Sequence, residues 1–179
     1  INKYGDRFFD VGIEEEHAVA FAGGLGVSGM HPVFAVYSTF LQRTYDQIFH
    51  DVALQSSPVI FAIDRAGLVA GDGKTHQGLY DCSILSSIPG MEIYSPDSYD
   101  EMKRVFEKLF ERGVMSAVRY PRGAEQSYDR SVYLYCEDES FAASDYGDMK
   151  SGSADITVIT YGRVSFEAAD AAVSFCNRH

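Results

Sequence analysis

The sequence lacks the features of disulfide-stabilised, membrane-spanning and duplex-binding proteins. Its three cysteines, Cys82, Cys136 and Cys176, are far apart and in no C-x-x-C pair, so it predicts neither a disulfide framework nor a zinc site. No apolar run approaches the roughly 20 residues of a transmembrane helix, and no signal-peptide pattern opens the chain. Basic residues number 15 against 26 acidic ones, a formal net charge of -11. This charge argues against a nucleic-acid partner, and any phosphate ligand would have to be bound by a few local arginines.

The composition is that of a globular domain. Hydrophobic residues make up 46% of the chain and charged residues 23%, which is typical of a folded protein. The 179 residues suffice for one average domain and little more. The chain begins at Ile1 and ends at His179 within an alanine-rich helical pattern, so we expect a fragment of a longer protein.

Apolar stretches of strand length alternate with amphipathic stretches of helix length. Helices are predicted over residues 15–29, 39–55 and 98–113, the last from an apolar stripe with three- and four-residue spacing. This alternation predicts the α/β class, with three layers in which a mostly parallel twisted sheet carries helices on both faces. The strand candidates are nearly continuous in apolar residues, as strands buried on both faces are: RFFDV, PVFAVY, PVIFAID, MEIYS and SAVRY.

The pattern divides the chain into three parts. Residues 1–123 carry the alternating strands and helices and form the predicted first domain. Residues 124–153 are acidic and serine-rich without a long apolar period, which predicts a linker. The stretch DITVITYG then restarts the strand pattern, and a helix is predicted over residues 163–179. Residues 154–179 are therefore predicted to be the first strand and helix of a truncated C-terminal domain.

Unusual polar residues follow the predicted strands, at the edge where ligands bind in parallel sheets. The longest of these connections, residues 65–78, is glycine-rich and includes the sequence GLVAGDGKT. It is not a P-loop, because Leu68 stands where that motif requires its first glycine. Its GDG also lacks the downstream asparagine of a magnesium-diphosphate motif, since the only asparagines are Asn2 and Asn177. This segment alone is therefore not expected to hold a metal ion.

Four blocks carry a family resemblance over residues 7–123. FDVGIEEEHAVAFAGGLG, YSTFLQRTYDQIFHDVALQ, FAIDRAGLVAGDGKTHQG and SAVRYPRG, in this order and spacing, resemble the 1-deoxy-D-xylulose-5-phosphate synthase family of transketolase-like thiamine-diphosphate enzymes. The resembling part is the family's central pyrimidine-binding domain followed by the start of its C-terminal domain.

The resemblance implies a transferase that condenses pyruvate with D-glyceraldehyde 3-phosphate. The products are 1-deoxy-D-xylulose 5-phosphate, a precursor of isoprenoids, thiamine and pyridoxal, and carbon dioxide. The implied cofactors are thiamine diphosphate and Mg²⁺, with the metal site in an N-terminal domain that this sequence does not include. A homodimer in a bacterial cytoplasm is the expectation, with a plastid as the alternative address.

The resemblance also assigns one of three consecutive glutamates to the cofactor. Successive helical side chains point about 100° apart, so only one of them can face a bound ring. The family pattern selects Glu15, whose carboxyl group would share a proton with the cofactor's pyrimidine nitrogen. Glu14 and Glu16 depart from the family pattern, and we expect them to form a solvated first helical turn.

Seven further residues match family positions. Tyr37, Phe40 and Arg43 match cofactor-binding residues, although Phe40 also fits an apolar helical stripe and could be a core residue. The remaining matches concern the substrates. His76 matches a catalytic proton carrier, and Arg65 and Arg122 match the two arginines of a phosphate clamp. Asp72 matches a residue that contacts an acceptor hydroxyl, and Tyr37 also matches a residue lining the acceptor site.

Two alternatives remain at this point. A transketolase or the β-subunit of a 2-oxoacid dehydrogenase would share the domain, the glutamate and the stacking aromatic, but need not carry YSTFLQR with the arginine pair. The chain could instead be a non-catalytic dimerisation module, because half of the cofactor pocket is missing from it. The isolated fragment is expected to be inactive.

Overall fold

A parallel four-stranded sheet forms the centre of the molecule. The computed structural model describes residues 3–125, 133–135, 147–149 and 160–176. The sheet order is β1-β2-β4-β3, and every neighbouring pair is parallel, with Val33 beside Ile60 and Ile60 beside Ser116. The strands of this sheet are β1 (Val33–Tyr37), β2 (Ile60–Asp64), β3 (Glu92–Tyr94) and β4 (Ser116–Arg119).

Helices of several kinds connect the strands. Two 3₁₀ segments, Gly5–Arg7 and Gln42–Thr44, and one π-helical segment, Ile48–Ala53, occur beside the α-helices. The α-helices are α1 (Glu15–Val27), α2 (Ser38–Leu41), α3 (Tyr45–Gln47), α4 (Asp81–Leu85), α5 (Tyr99–Arg112) and α6 (Val164–Cys176). None of the described helices is long and apolar enough to cross a membrane.

Helices cover both faces of the sheet, so the predicted three-layer α/β architecture is confirmed. On one face, α5 packs its apolar stripe, including Val105 and Leu109, against Ile60 and Val118 of the central strands. On the other face, α1, α2, the π segment and α4 bury a larger core that includes Val19, Leu41, Ile48, Val52, Phe61, Ile63 and Leu85.

Helix α5 shows how local sequence sets an element's ends. The Ser98 hydroxyl accepts a hydrogen bond of 3.2 Å from the Glu101 backbone N–H, and the Glu101 carboxylate accepts one of 2.6 Å from the Asp97 N–H. This reciprocal arrangement satisfies two amides at the helix start. Gly113 ends the helix with a left-handed φ of 58°. The predicted range of 98–113 therefore includes both caps.

The helical stretch predicted over residues 39–55 is present as α2, a 3₁₀ turn, α3 and the π segment in direct succession, and not as one regular α-helix. Helix α1 lies close against the π segment. A Cβ atom on Gly23 would lie only 2.5 Å from the Asp51 carbonyl oxygen. The Ser57 hydroxyl also donates a 2.9 Å hydrogen bond to the Gly23 carbonyl. Contacts with α1, as well as local helix propensity, therefore shape the backbone of the π segment.

One predicted strand was wrong, and one helix was missed. The stretch RFFDV is not a strand; Phe8 and Phe9 are exposed, and Phe9 packs edge-to-face on Phe21 at 5.3 Å. Helix α4 was not predicted, because its five residues are too few to show a helical period.

The C-terminal stretch is described only in part. Within the predicted linker, β5 (Tyr133–Tyr135) and β6 (Gly147–Met149) form an antiparallel pair. Most of the strand predicted from DITVITYG lies outside the described residues. Helix α6 occupies the predicted helical stretch and buries Phe166 and Ala169.

Candidate active site

The parallel sheet brings the candidate residues to one edge. Tyr37 ends β1 and pairs in register with Asp64, the last residue of β2. Arg65 follows β2 directly, and Arg122 lies three residues beyond the end of β4. Because the carboxyl ends of parallel strands meet at the same edge, side chains distant in sequence become neighbours there.

The glycine-rich loop over residues 65–78 has a defined shape. Gly67 and Gly78 close its base with two backbone hydrogen bonds of 2.7 and 2.8 Å. The Gln77 side chain then bridges the loop, accepting from the Val69 N–H at 2.7 Å and donating to the Val69 carbonyl at 2.9 Å. Gln77 also donates to the Gly73 carbonyl at 2.6 Å. These contacts fix the backbone that carries Asp72 and His76.

Four side chains form what we call the clamp network: Tyr37, Arg65, Asp72 and Arg122. Each guanidinium donates to a different oxygen of the Asp72 carboxylate, whose side chain is only 7% exposed. Arg65 also donates to the Tyr37 hydroxyl at 3.0 Å and lies over the Tyr37 ring at 4.0 Å from its centroid. The structure therefore brings together the arginines that the sequence analysis assigned to a phosphate clamp.

The four side chains of the clamp network carry two positive charges and one negative charge, and the Asp64 carboxylate also acts electrostatically on Arg65. Two guanidinium groups share the one Asp72 carboxylate, and Arg65 Nε is buried with no hydrogen-bond partner among the described residues. Burial acts to lower the pKa of Arg65, but the hydrogen bond to Asp72 and nearby negative charge outweigh it and raise that pKa. Arg65 also has a left-handed φ of 58°, which is strained for a non-glycine residue and typical of functional positions.

Phe40 and His76 extend the clamp network on the side of Tyr37. The Phe40 ring stacks on the Tyr37 ring with a centroid distance of 5.8 Å and meets the His76 ring edge-on at 5.4 Å. A 2.9 Å hydrogen bond joins His76 Nδ1 to the Thr75 hydroxyl. Phe40 is half-buried and also packs against the core, so it has features of both interpretations raised by the sequence.

Glu15 and Arg43 form a separate pair. Glu15 lies in the first turn of α1 with its side chain 11% exposed, and Arg43 Nη1 donates to its Oε2 at 3.0 Å. Of its neighbours, Glu14 is exposed as expected, whereas Glu16 is half-buried. A mostly buried carboxylate at this edge can exchange a proton with a bound ligand.

Sequence analysis missed one buried ion pair at the same edge. Arg119 donates to both oxygens of Asp81, at 2.9 and 3.2 Å, and the Asp81 side chain is fully buried. This pair joins the start of α4 to the end of β4. The available signal was the arginine within the apolar strand SAVRY, because a buried arginine requires a carboxylate partner.

The side chains that most often bind metal ions do not cluster in the described part of the chain. Among residues 3–125 and the shorter described stretches, no three His, Cys, Asp or Glu side chains lie close enough together to hold a metal ion.

Comparison with known proteins gives a family match and close relatives. Residues 2–126 match the family described as transketolase, pyrimidine binding domain. The chain is 46% identical over 162 residues to a 1-deoxy-D-xylulose-5-phosphate synthase of Clostridium acetobutylicum, covering 90% of this chain and 25% of that protein. It is 55% identical over 121 residues to the synthase of the same name from Neisseria meningitidis serogroup C, covering 68% and 19%. The chain thus spans a quarter or less of these relatives' length.

Solved structures share the fold. A split-gene transketolase described as an inactive β4 tetramer aligns with a TM-score of 0.62 at 22% identity, over 72% of this chain and 42% of that one. A transketolase from Campylobacter jejuni aligns with a TM-score of 0.58 at 20% identity, over 62% and 18%. With the family match over residues 2–126, these findings show that the chain belongs to the transketolase pyrimidine-binding domain family.

Proposed function

We propose that this chain is the pyrimidine-binding part of a synthase that condenses pyruvate with D-glyceraldehyde 3-phosphate. The products are 1-deoxy-D-xylulose 5-phosphate and carbon dioxide, and thiamine diphosphate is the cofactor. The main support from the comparisons is the 46–55% identity to proteins named 1-deoxy-D-xylulose-5-phosphate synthase. Because the chain spans a quarter or less of their length, the activity belongs to a longer protein.

The residues present fit the pyrimidine half of the cofactor. Phe40 offers a half-buried ring on which a flat heterocycle can stack, and Glu15 offers a mostly buried carboxylate. Tyr37 is the other cofactor-binding residue that we assign; Arg43, which the resemblance adds to this set, contacts the Glu15 carboxylate. When bound, thiamine diphosphate supplies the carbanion chemistry of the reaction. The protein's part is to hold the ring and to move protons at the Glu15 carboxyl group.

The clamp network is the observation that carries the choice of acceptor substrate. Two guanidinium groups around one carboxylate, with a buried Arg65 Nε that has no partner among the described residues, leave N–H donors for an anion. A phosphate dianion matches this arrangement, because its oxygens accept charge-assisted hydrogen bonds from several guanidinium N–H groups. We therefore assign Arg65 and Arg122 to the phosphate of glyceraldehyde 3-phosphate.

We assign three further side chains to the rest of the acceptor. Asp72 lies between the arginines, and Tyr37 lies beside Arg65, so both can contact the acceptor's hydroxyl groups. His76 contacts the Phe40 ring and is hydrogen-bonded to Thr75, and we assign its imidazole the role of proton carrier.

Several features of the proposal concern the complete protein. We assign its Mg²⁺ to the N-terminal domain, its assembly to a homodimer and its location to the cytoplasm. Its product would feed isoprenoid, thiamine and pyridoxal synthesis. The fragment by itself should release no carbon dioxide from pyruvate, because it holds only part of the cofactor pocket.

The test is Glu15→Gln in the complete protein, assayed with pyruvate, glyceraldehyde 3-phosphate, thiamine diphosphate and magnesium. Loss of the proton-sharing carboxyl group should lower kcat by about 10²- to 10⁴-fold. The Tm should stay near that of the parent protein. Ser83→Ala, at an exposed position on α4, serves as the control. Near-normal turnover of Glu15→Gln, or a parent protein that makes no deoxyxylulose phosphate from these substrates, would contradict the proposal.

A further inference from the structure

We infer that Arg43 is a positioning residue, which orients the Glu15 carboxylate and does not bind the cofactor itself. This inference rests on the proposed function and changes the role that the family resemblance gave to Arg43. It concerns the pair formed by Arg43 Nη1 and Glu15 Oε2, 3.0 Å apart.

The contact uses only one of the two carboxylate oxygens. Arg43 donates to Oε2, and Oε1 has no hydrogen-bond partner within the described part of the chain. The closed pair of Arg119 and Asp81 is different, because both oxygens of that carboxylate are engaged. A one-oxygen contact restricts rotation of the Glu15 carboxylate while leaving Oε1 for a proton shared with a ligand nitrogen.

The side chains of Glu15 and Arg43 differ in solvent exposure. The Glu15 side chain is 11% exposed, whereas the Arg43 side chain is 53% exposed. Among the described residues, Arg43 therefore contacts the carboxylate from its more exposed side.

The backbone on both sides of the pair is fixed. Arg43 belongs to the 3₁₀ turn between α2 and α3, whose next residue, Thr44, is buried and donates to the Leu41 carbonyl at 2.7 Å. Helix α1 packs closely against the π segment, because Gly23 has no Cβ atom and the Asp51 carbonyl oxygen occupies the adjacent space. The distance between Arg43 and Glu15 is thus set by packed structure, as a positioning contact requires.

The experiment is a double-mutant cycle in the complete protein with Glu15→Gln, Arg43→Met and the pair combined. Two quantities are measured besides kcat: the affinity for thiamine diphosphate by calorimetry, and the rate at which the bound cofactor's C2 proton exchanges with deuterium. Arg43→Met should slow kcat and exchange by about 10- to 100-fold, because misorientation of a reacting group costs this much. The cofactor Kd should change by less than about threefold, equivalent to ~0.65 kcal/mol.

Controls distinguish positioning from a general structural role. The double variant should be no slower than Glu15→Gln alone, because Arg43 acts only through that carboxylate. Arg43→Lys should retain more exchange than Arg43→Met, since one donor suffices. Arg104→Met, an exposed arginine on α5, should leave all quantities unchanged.

Each other outcome has a distinct meaning. A rise of tenfold or more in the cofactor Kd with normal proton exchange would show direct cofactor binding by Arg43 and overturn the inference. Losses that multiply in the double variant would overturn it as well. If Glu15→Gln is slow but Arg43→Met is normal, the positioning role fails and the proposed function stands. If the cofactor bound to Glu15→Gln exchanges its C2 proton at the normal rate, both the positioning role and the proposed function fail.

Discussion

Two arginine–carboxylate networks lie at opposite ends of the parallel sheet and differ in charge balance. At the amino end, Arg112 donates to both oxygens of Glu92, at 2.8 and 2.6 Å, and the Tyr94 hydroxyl donates to Glu92 at 2.6 Å. One guanidinium thus meets one carboxylate. At the carboxyl end, in the clamp network, Arg65 and Arg122 share Asp72.

The balanced network has the properties of a structural contact. Burial alone would raise the pKa of Glu92, but hydrogen bonds from Arg112 and Tyr94 outweigh it and lower that pKa. Burial and the bond to Glu92 raise the pKa of Tyr94 to about 12. The clamp network, in contrast, keeps a buried Arg65 Nε without a partner among the described residues. An unsatisfied donor costs stability, and this donor lies at the sheet edge to which we assign phosphate binding.

The Arg119–Asp81 pair tests whether charge balance or position in the sheet makes a contact structural. It has one guanidinium for one carboxylate, yet it lies at the carboxyl end of the sheet. Asp81→Ala would leave the Arg119 charge mostly buried without its partner. The free energy of unfolding should fall by about 3–5 kcal/mol, the largest change that we predict. Urea denaturation measures it, with Ser83→Ala at an exposed position of the same helix as the control. A loss below about 1 kcal/mol would show that this pair is not structural.

Arg122→Ala in the complete protein tests the unbalanced network directly. The variant loses one charge-assisted contact to phosphate, worth about 1.5–3 kcal/mol, so KM for glyceraldehyde 3-phosphate should rise about 10- to 100-fold. Asp72 keeps its contact with Arg65, and Arg122 is half-exposed, so stability should change by less than about 0.5 kcal/mol. Steady-state kinetics measure the effect, with KM for pyruvate as the internal reference. A large loss of stability with unchanged KM would reverse the comparison.

Arg112→Ala tests the balanced network and should have the smallest effect. Both partners are about one-third exposed, so the loss at neutral pH should be no more than about 1 kcal/mol. Because the folded-state pKa of Glu92 is lowered from 4.5, the contact stabilises the protein above that pH. The difference between parent and variant should therefore shrink as the pH falls below 4.5 and Glu92 becomes protonated. Urea denaturation across pH 3–7 measures it, while kinetic constants at neutral pH should not change.

The apolar strands, including the three-residue β3, and the periodic helices were predictable from the sequence, whereas α4 and the irregular helical geometry after α2 were not. The stripe of α5 and the apolar runs of β1, β2 and β4 identified these elements because their periods reflect burial. The stretch RFFDV has the composition of a strand but no described strand to pair with. The helical geometry changes several times after α2, and its π segment lies against Gly23 of α1, a contact between residues far apart in the chain.

The candidate site divides in the same way. Family resemblance selected Glu15, Arg65 and Arg122 by their motifs. It could not indicate that Arg43 contacts Glu15, which lies 28 residues away, or that both clamp arginines share Asp72. It also missed Asp81, whose partner Arg119 is 38 residues distant.

The sequence by itself determined the α/β class, the alternation of strands and helices that predicts a parallel sheet, and the residues that follow each strand. Periodicity and turn chemistry are local properties of the chain. Only the tertiary structure decided which charges meet. Ion pairing depends on distances of a few ångströms between side chains from different elements, and those distances are set by how α1, α4 and the glycine-rich loop pack on the sheet. The unbalanced charge of the clamp network is therefore a property of the fold.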